Sequence, residues 1–241
     1  MEFSINNNKI FLSIFDNIKQ YSDIIKLKID KKGIHIQSID NAQICIIDIV
    51  INKNYFNSFN TDKTYNLDFD INDITKIFKV INNTRLITFS IYDECNLKIK
   101  TEPLDNNITK IFKINSICSN SEFININCLN IKYNFNIQSK QLLNIFTELN
   151  IFSDDINILI NNNGLQFIIN NDNIKSKYFI ENIKTDEQIE CYFLLKYLAK
   201  FKIISQFDNT NLKLDNEKPI ILNINENDIN INFILSPKIN L

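Results

Sequence analysis

Apolar side chains recur every three to four residues near the start of each half of the chain. Ile10, Phe11, Ile14 and Ile18 fall on one stripe, a spacing that predicts an amphipathic helix. A second helix is predicted in the interior of each half. The four predicted helices cover residues 8–21, 70–81, 139–150 and 190–202.

Between the helices, apolar and polar residues alternate, which predicts β-strands with one buried face. Residues 25–29 and 34–37 lie on either side of a polar turn that carries Gly33, and this arrangement predicts a β-hairpin. The further predicted strands cover residues 44–51, 86–90, 97–100 and 219–235.

The two halves of the chain resemble each other when one is shifted by 131 residues. Lys9 then falls on Lys140 and Gly33 on Gly164, and no gap is needed between them. Matches of Ile or Asn carry little weight because the chain has 50 Ile and 42 Asn. The chain has only two glycines, however, and they coincide. This agreement indicates an internal duplication of roughly 110 residues.

A second alignment, near the end of each half, uses an offset of 134. Asn96 falls on Asn230 and Pro103 on Pro237, so two of the three prolines also pair. Each half is therefore predicted to be mostly β, with two helices covering the sheet. The predicted fold class is α+β, with two similar domains of antiparallel β-sheet and two helices each. The predicted domains are residues 1–115 and 131–241, joined by a linker at 116–130.

Composition narrows the classes of function. A single histidine, His35, is too few for a His-rich metal site or for paired imidazole catalysis. Two glycines cannot build a GxGxxG or P-loop phosphate cradle. We therefore expect no metal and no cofactor.

Cysteine usage and hydropathy suggest where the protein works. Five cysteines without a Cys-x-x-Cys pair are typical of reduced intracellular thiols. The first residues do not resemble a signal peptide, and no apolar run approaches the roughly 20 residues of a membrane helix. We expect an intracellular protein that has no membrane partner.

The charge is unevenly distributed. A net charge of −2 argues against a generic nucleic-acid binder, but it allows basic residues to gather on one face. The predicted helices hold eight lysines and five acids, so they are the basic part of an acidic chain.

Two motifs resemble those of a known family. Residues 33–40 read Gly-Ile-His-Ile-Gln-Ser-Ile-Asp, similar to the Gly-x-x-x-Gln-Ser-x-Asp segment of sliding DNA clamps. Residues 235–239 read Leu-Ser-Pro-Lys-Ile and resemble that family's Leu-Ala-Pro-Lys-Ile. Residues 191–201 resemble the first part of its fourth helix. Across essentially its full length, the chain resembles the proliferating cell nuclear antigen family.

The resemblance implies an architecture and a function. Three chains would close head to tail into a ring whose helices line a hole around duplex DNA, a closed heterologous assembly. The ring would act as a processivity factor that tethers DNA polymerase, the clamp loader and other replication and repair proteins. In a eukaryote it would be nuclear. The edge strands at 108–114 and 174–181 would pair between subunits. The implied subunit-interface residues are Ile108, Lys110, Ile111, Ile114, Lys175, Lys177, Tyr178 and Ile180.

The resemblance also implies two binding surfaces. The helices would present a sequence-independent basic surface to phosphates. The implied DNA-facing residues are Lys9, Lys19, Lys76, Lys79, Lys140, Lys196 and Lys200. A pocket would accept short motifs of partner proteins through apolar anchors. The implied pocket residues are Ile39, Gln43, Ile44, Ile46, Ile126, Cys128, Pro219, Ile234, Ser236 and Pro237.

Two alternatives remain open at this point. Within the same fold, the chain could be one subunit of a heterotrimeric checkpoint-type clamp or a viral clamp-like transcription factor. From another class, it could be a two-repeat β-rich enzyme. That alternative needs a catalytic constellation, and the sequence shows none.

Overall fold

A computed structural model describes residues 1–6, 9–81, 84–91, 93, 95–103, 108–117 and 122–238. Asn8, Cys118 and Ile239, which the sequence predictions included, lie outside these residues. The chain forms two compact units. The first unit comprises Met1–Ile124 with Asn225–Ile231, and the second comprises Asn125–Ile224 with Asn232–Leu241. The division after Ile124 lies within residues 116–130, whereas Asn225–Ile231 lies within the second predicted domain, 131–241.

Four α-helices are present in the described part of the chain. They are α1 (Lys9–Ile18), α2 (Ile71–Val80), α3 (Ser139–Leu149) and α4 (Leu195–Lys200). Three short 3-10 helices cover Lys53–Tyr55, Ile126–Cys128 and Lys202–Gln206.

Strands make up most of the remaining structure. In the first half they are β1 (Glu2–Ile5), β2 (Ile24–Asp30), β3 (Gly33–Ile39), β4 (Cys45–Asn52), β5 (Ser58–Asn60), β6 (Tyr65–Asp70), β7 (Thr84–Ile91), β8 (Asn96–Pro103) and β9 (Lys110–Asn115). In the second half they are β10 (Tyr133–Gln138), β11 (Asp155–Asn161), β12 (Gly164–Asn170), β13 (Lys175–Ile180), β14 (Ile189–Leu194), β15 (Asn209–Leu214), β16 (Ile220–Glu226) and β17 (Ile229–Leu235).

The strand order repeats between the halves. The order β4-β3-β2-β6 recurs as β13-β12-β11-β14, and β1-β7-β8-β9 recurs as β10-β15-β16-β17. Every strand pair whose residue-by-residue register is described is antiparallel, and the α+β prediction is confirmed. The first half has one additional strand, β5, which pairs with β1.

The offset of 131 agrees with this topology, but the offset of 134 does not. Gly33 and Gly164 each begin the second strand of a matching hairpin. By strand order, however, β8 corresponds to β16, whereas residues 230–237 lie mainly in β17, the counterpart of β9. The proline alignment is therefore wrong. Asn and Ile are so common here that a short alternating strand matches several others.

The hairpin turn explains why Gly33 is glycine. Asp30 pairs with Gly33 across a two-residue turn, and the Asp30 carboxylate accepts a 2.8 Å hydrogen bond from the Lys32 N–H. Gly33 has φ +146°, and a Cβ there would lie 2.0 Å from the carbonyl oxygen of Ile51. Only glycine tolerates both this backbone conformation and this approach.

The fourth predicted helix begins five residues too early. Residues 190–194 belong to β14, which pairs with β11, and α4 begins at Leu195. The burial of Ile189, Cys191 and Phe193 alternates with more exposed neighbours, which is the period of a strand. The segment that resembles the family's fourth helix thus spans both β14 and α4.

Aromatic rings fill the core of the first unit between its helices and strands. Phe15 of α1 meets Phe78 of α2 with ring centroids 5.0 Å apart, and Phe3 of β1 stacks on Phe89 of β7 at 4.7 Å. Each such buried side chain stabilises the fold by roughly 1.5–3 kcal/mol. In this unit, the apolar face of each helix packs against the strands, and the opposite face of the helix is exposed to solvent.

No helix in the described ranges is long and apolar enough to cross a membrane.

Candidate nucleic-acid and partner interfaces

The predicted DNA-facing lysines of the first unit lie on α1, on α2 or just beyond α1. Lys9 begins α1 and is exposed. Lys19, just after α1, is half-buried, and its ammonium donates a 3.3 Å hydrogen bond to the Thr75 hydroxyl of α2. Lys76 and Lys79 lie on the exposed side of α2.

Lys76 has one acidic neighbour. Its ammonium lies 3.0 Å from the Asp73 carboxylate, and the two side chains are 72% and 57% exposed. An ion pair this exposed contributes little and is easily exchanged for another anion. Lys76 therefore stays available to a phosphate.

In the second unit the exposed sides of α3 and α4 carry Lys140, Lys196 and Lys200. Glu148 lies on the exposed side of α3 as well, and the Tyr178 hydroxyl donates a 2.7 Å hydrogen bond to its carboxylate. This bond raises the pKa of Tyr178 above its ordinary value. It directs Glu148 toward β13.

These helices can supply a diffuse positive surface. Lys9, Lys79, Lys140 and Lys196 make no ion pair with another residue in the described ranges. Lysine is a hydrated point charge on a flexible stem, so it attracts phosphate without fixing a bidentate geometry. Such contacts position a protein on DNA without reading sequence.

The two predicted interface strands are both sheet edges. β9 ends one strand order and β13 ends another. On β9, Ile111 is 54% exposed and Ile114 is buried, while Ile108 just before it is 59% exposed. The Lys110 ammonium donates a 2.8 Å hydrogen bond to the Val80 carbonyl at the end of α2. Lys110 thus satisfies a terminal carbonyl of a helix, a role that the sequence did not reveal.

On β13, exposure alternates along the strand. Lys175, Lys177 and Phe179 are exposed, whereas Tyr178 and Ile180 are half-buried. The opposite edge of this strand pairs with β12. No strand in the described ranges pairs with its other edge, so this edge can accept another strand, as can that of β9.

The predicted partner pocket has residues in both units. In the first unit, Ile39 of β3 lies directly opposite Ile46 of β4, and both are half-buried, as is Ile44. Gln43 is exposed, with a positive φ of 57°. The structure thus brings the three isoleucines together beside an exposed amide.

Asp40 shapes the loop that carries these residues. Its carboxylate accepts hydrogen bonds from the N–H groups of Ala42, Ile44 and Cys45, at 3.2, 2.9 and 2.7 Å. Asp40 is 5% exposed. The acid of the Gln-Ser-x-Asp motif is therefore a loop-forming residue here.

In the second unit, the predicted pocket residues differ in exposure. Ile126, Pro219, Ser236 and Pro237 are half-buried, and Cys128 is exposed. Ile234 is only 3% exposed, so it presents almost no surface to a docked motif. The assignment of these residues to a pocket stays a prediction.

Sequence reasoning missed a polar network on β3 and β4. The Gln37 amide donates to the Asp48 carboxylate at 2.8 Å and to the Ile124 carbonyl at 3.0 Å, and it accepts from the Ile124 N–H at 2.7 Å. His35 Nε2 lies 2.7 Å from Asp48, and the His35 ring lies 4.5 Å from the Phe123 ring. The network attaches residues 123–124 of the predicted linker to the sheet.

A second missed cluster lies before and within β10. The Glu187 carboxylate accepts hydrogen bonds from the Lys132 ammonium at 2.6 Å and from the Tyr133 hydroxyl at 2.8 Å. These two hydrogen bonds lower the pKa of Glu187, and the one from Lys132 has the larger effect. The only sequence signal for the cluster was an aromatic residue at each end of Tyr133-Asn134-Phe135.

The described residues contain no group of three or more histidine, cysteine or acidic side chains that could hold a metal ion. Cys45, Cys95, Cys128 and Cys191 are free thiols. Burial raises the pKa of both Cys45 and Cys191. These buried thiols are therefore poor nucleophiles.

A family model matches the first half of the chain. It is described as "Proliferating cell nuclear antigen, N-terminal domain", and it matches residues 1–123.

Two relatives match most of the chain. Proliferating cell nuclear antigen of Saccharomyces cerevisiae is 22% identical over 256 residues, covering 100% of this chain and 98% of its own. Proliferating cell nuclear antigen 1 of Plasmodium falciparum is 25% identical over 240 residues, covering 91% and 86%.

Two solved structures share the fold. A chain of a PCNA2–PCNA3 complex from Sulfolobus tokodaii superposes with a TM-score of 0.86 at 22% identity, covering 99% of each chain. Proliferating cellular nuclear antigen of Entamoeba histolytica superposes with a TM-score of 0.87 at 19% identity, covering 99% of this chain and 98% of its own.

Proposed function

Because the chain belongs to the proliferating cell nuclear antigen family, we propose that three copies close head to tail into a ring around double-stranded DNA. The family consists of sliding clamps, and this chain is a DNA polymerase sliding clamp. Topological enclosure supplies processivity in this proposal, so the contacts with DNA need only be weak.

The observation that supports ring closure is the exposure of apolar side chains beside two free sheet edges. Beside β9 lie Val80, Ile108 and Ile111, which are 52%, 59% and 54% exposed. A monomer rarely leaves such a set in water, and a free sheet edge invites another strand.

The other free edge has a matching set. Phe179 on β13 is 43% exposed, and Ile151 and Phe152 after α3 are 76% and 46% exposed. The Phe152 carbonyl accepts a 2.8 Å hydrogen bond from the Asn171 amide, in the turn before β13. Pairing β9 of one copy with β13 of the next would bury both sets.

In this proposal the helices line the hole and present Lys9, Lys76, Lys79, Lys140 and Lys196 to phosphates. The clamp loader, polymerase and other replication and repair proteins dock through short motifs that bind the predicted partner pocket. The clamp itself performs no catalysis, and in a eukaryote it works in the nucleus.

The first experiment measures solution mass by light scattering behind a sizing column. A self-closing ring has a mass of roughly 85 kDa, three times the 28.3 kDa of the chain. The second experiment measures processive synthesis by a polymerase on circular DNA with the triple variant K76E/K79E/K196E. We expect the stimulation to be lost while the trimer is retained.

A matched control separates position from net charge. The variant K31E/K32E/K100E changes net charge by the same amount, but its sites lie in a hairpin turn and on β8. We expect it to keep stimulation. Unchanged processivity in K76E/K79E/K196E would show that the helices do not face DNA.

One observation favours the second candidate, a subunit of a heterotrimeric clamp. β9 carries Lys110 and Lys113, β13 carries Lys175 and Lys177, and neither strand carries an acid. Like charges that face each other across two strands disfavour pairing. A monomeric mass at high salt as well as at low salt would favour partner chains with acidic edges.

A further inference from the structure

The internal duplication reveals a sheet edge that is covered in the first unit and open in the second. In the first unit, β1 pairs with β7 on one side and with β5 on the other. Its counterpart β10 pairs with β15, and no strand in the described part of the chain pairs with its other side. The first unit therefore shows what kind of segment can pair with this edge.

β5 covers β1 with backbone and aromatic contacts. Phe3 lies opposite Phe59 in the register, and their rings stack with centroids 5.8 Å apart. Phe56 approaches the same ring at 5.0 Å. Phe3 is consequently only 3% exposed. The neighbouring Ser4 and Ser58 hydroxyls share a 2.6 Å hydrogen bond.

Phe135 holds the place of Phe3 in the second unit. Phe3 lies opposite Phe89 of β7, and Phe135 lies opposite Leu212 of β15, the counterpart of β7. Two residues further along, Ile5 and Ile137 are both buried. Phe135 itself is half-buried. Its ring stacks on that of Tyr133 in the same strand, with centroids 6.3 Å apart, and no ring from a neighbouring strand covers it in the described residues.

A groove of about 580 Å³ runs beside this open edge. Lys132, Tyr133 and Phe135 form one wall, and residues 184–187 form the other. Clefts that bind ligands typically have volumes of about 300–1,000 Å³. The bonds from Lys132 and Tyr133 to Glu187 keep the two walls attached at one end, so the groove is preformed.

We propose that this groove binds an extended segment of a partner protein, which adds to β10 as a further antiparallel strand. Backbone hydrogen bonds to the free edge supply affinity, and one side chain over Phe135 supplies specificity. The site lies wholly within the second unit and is distinct from the predicted partner pocket. It does not depend on ring closure.

The chemistry of the segment follows from β5, whose sequence is Ser58-Phe59-Asn60. The central residue is aromatic and its neighbours are small and polar. The charged groups on the groove walls are two lysines, Lys132 and Lys184, and two acids, Asp186 and Glu187. Because these charges balance, we expect binding to depend only weakly on salt.

The test uses the full chain and a fluorescent peptide of residues 56–62, which contains the β5 sequence. Fluorescence anisotropy gives its dissociation constant. We expect the F59A peptide to bind at least tenfold more weakly, because it lacks the ring that covers Phe135. The F135A protein should lose affinity to a similar extent, whereas V50A, at an exposed position of β4, should bind like the unsubstituted chain.

Hydrogen exchange locates the peptide even if F135A fails to fold. In the unsubstituted chain, the peptide should slow exchange in β10 and in residues 184–187. Protection at β1, β9 or β13 instead would overturn the proposal. So would the absence of binding, or equal binding of the F59A peptide.

Discussion

Gly33 and Gly164 are required at matching positions, but to different degrees. A Cβ on Gly33 would lie 2.0 Å from the Ile51 carbonyl oxygen and 2.9 Å from the Lys53 nitrogen. A Cβ on Gly164 would lie 2.7 Å from the Ile180 carbonyl oxygen, and its other near contacts are ring atoms of Phe179. Backbone must move in both cases, but farther at Gly33, whereas at Gly164 movement of the exposed Phe179 ring can relieve the remaining contacts.

We therefore expect G33A to destabilise the protein more than G164A. Positive φ alone costs about 1–3 kcal/mol for a non-glycine residue, and the backbone clash adds to this cost at Gly33. Urea unfolding followed by circular dichroism measures the free energy of unfolding of each variant. Equal losses would show that φ, rather than the close approach to Ile51, is decisive.

For individual residues, the sequence predicted positions in hairpins and strands better than it predicted the contacts of each side chain. Repetition of the scarce glycines identified both hairpins, and alternation identified most strands. Lys110 and Ile234 were assigned to surfaces by resemblance alone, whereas one contacts a helix end and the other is buried. Side-chain roles of this kind depend on which elements meet, and a linear pattern does not contain that information.

Elements with a strong hydrophobic period were predicted from the sequence. Elements that form because a neighbouring strand pairs with them were not. α1, α2 and α3 bury clear apolar stripes, so their predicted positions agree with the structure within a few residues. β5 has three residues and exists because β1 offers it an edge. β14 lies where a helix was predicted over residues 190–202, although its own alternation is that of a strand.

The position of residues 122–124 also depends on the residues that they contact rather than on their own pattern of apolar and polar residues. Gln37 is fully buried and forms two hydrogen bonds with the backbone of Ile124, so its amide acts like a neighbouring strand. This attachment determines where the connecting chain leaves the first unit. The sequence motif included Gln37 without indicating what it binds.

We expect Q37A to loosen this segment. The substitution removes both hydrogen bonds to the Ile124 backbone and leaves the buried Asp48 carboxylate without one of its donors, at a cost of about 1–3 kcal/mol. Cleavage by chymotrypsin near Phe123 should become several-fold faster, as measured by limited proteolysis. The control K26A removes only an exposed 3.0 Å hydrogen bond to the Glu122 carbonyl, and it should change cleavage little. Equal rates in both variants would contradict the role assigned to Gln37.

For the whole molecule, the charge on the two free edges determines how ring closure should respond to salt. When all six residues of β9 pair antiparallel with all six of β13, Lys113 faces Lys177 and Ile111 faces Phe179. The apolar pair favours association, and the lysine pair opposes it by roughly 0.2–1 kcal/mol at each interface.

We therefore expect the proposed trimer to be stronger at high salt than at low salt, because screening weakens the repulsion between lysines. K113E should strengthen the trimer and reverse its salt dependence, and K177E should do the same. The double variant K113E/K177E restores like charges and should resemble the unsubstituted chain. Light scattering over a dilution series at each salt concentration measures all four proteins.

The path of the chain affects how the first unit folds during synthesis. Asn225–Ile231 belongs to the first compact unit, and the Asn52 N–H donates a 2.8 Å hydrogen bond to the Asp228 carbonyl. A ribosome that adds about 5–20 residues per second needs on the order of 5–20 s to travel from residue 124 to residue 231. During that interval β4 has already been synthesised, but the first unit still lacks its last segment. The first unit therefore completes its structure only when translation is nearly finished.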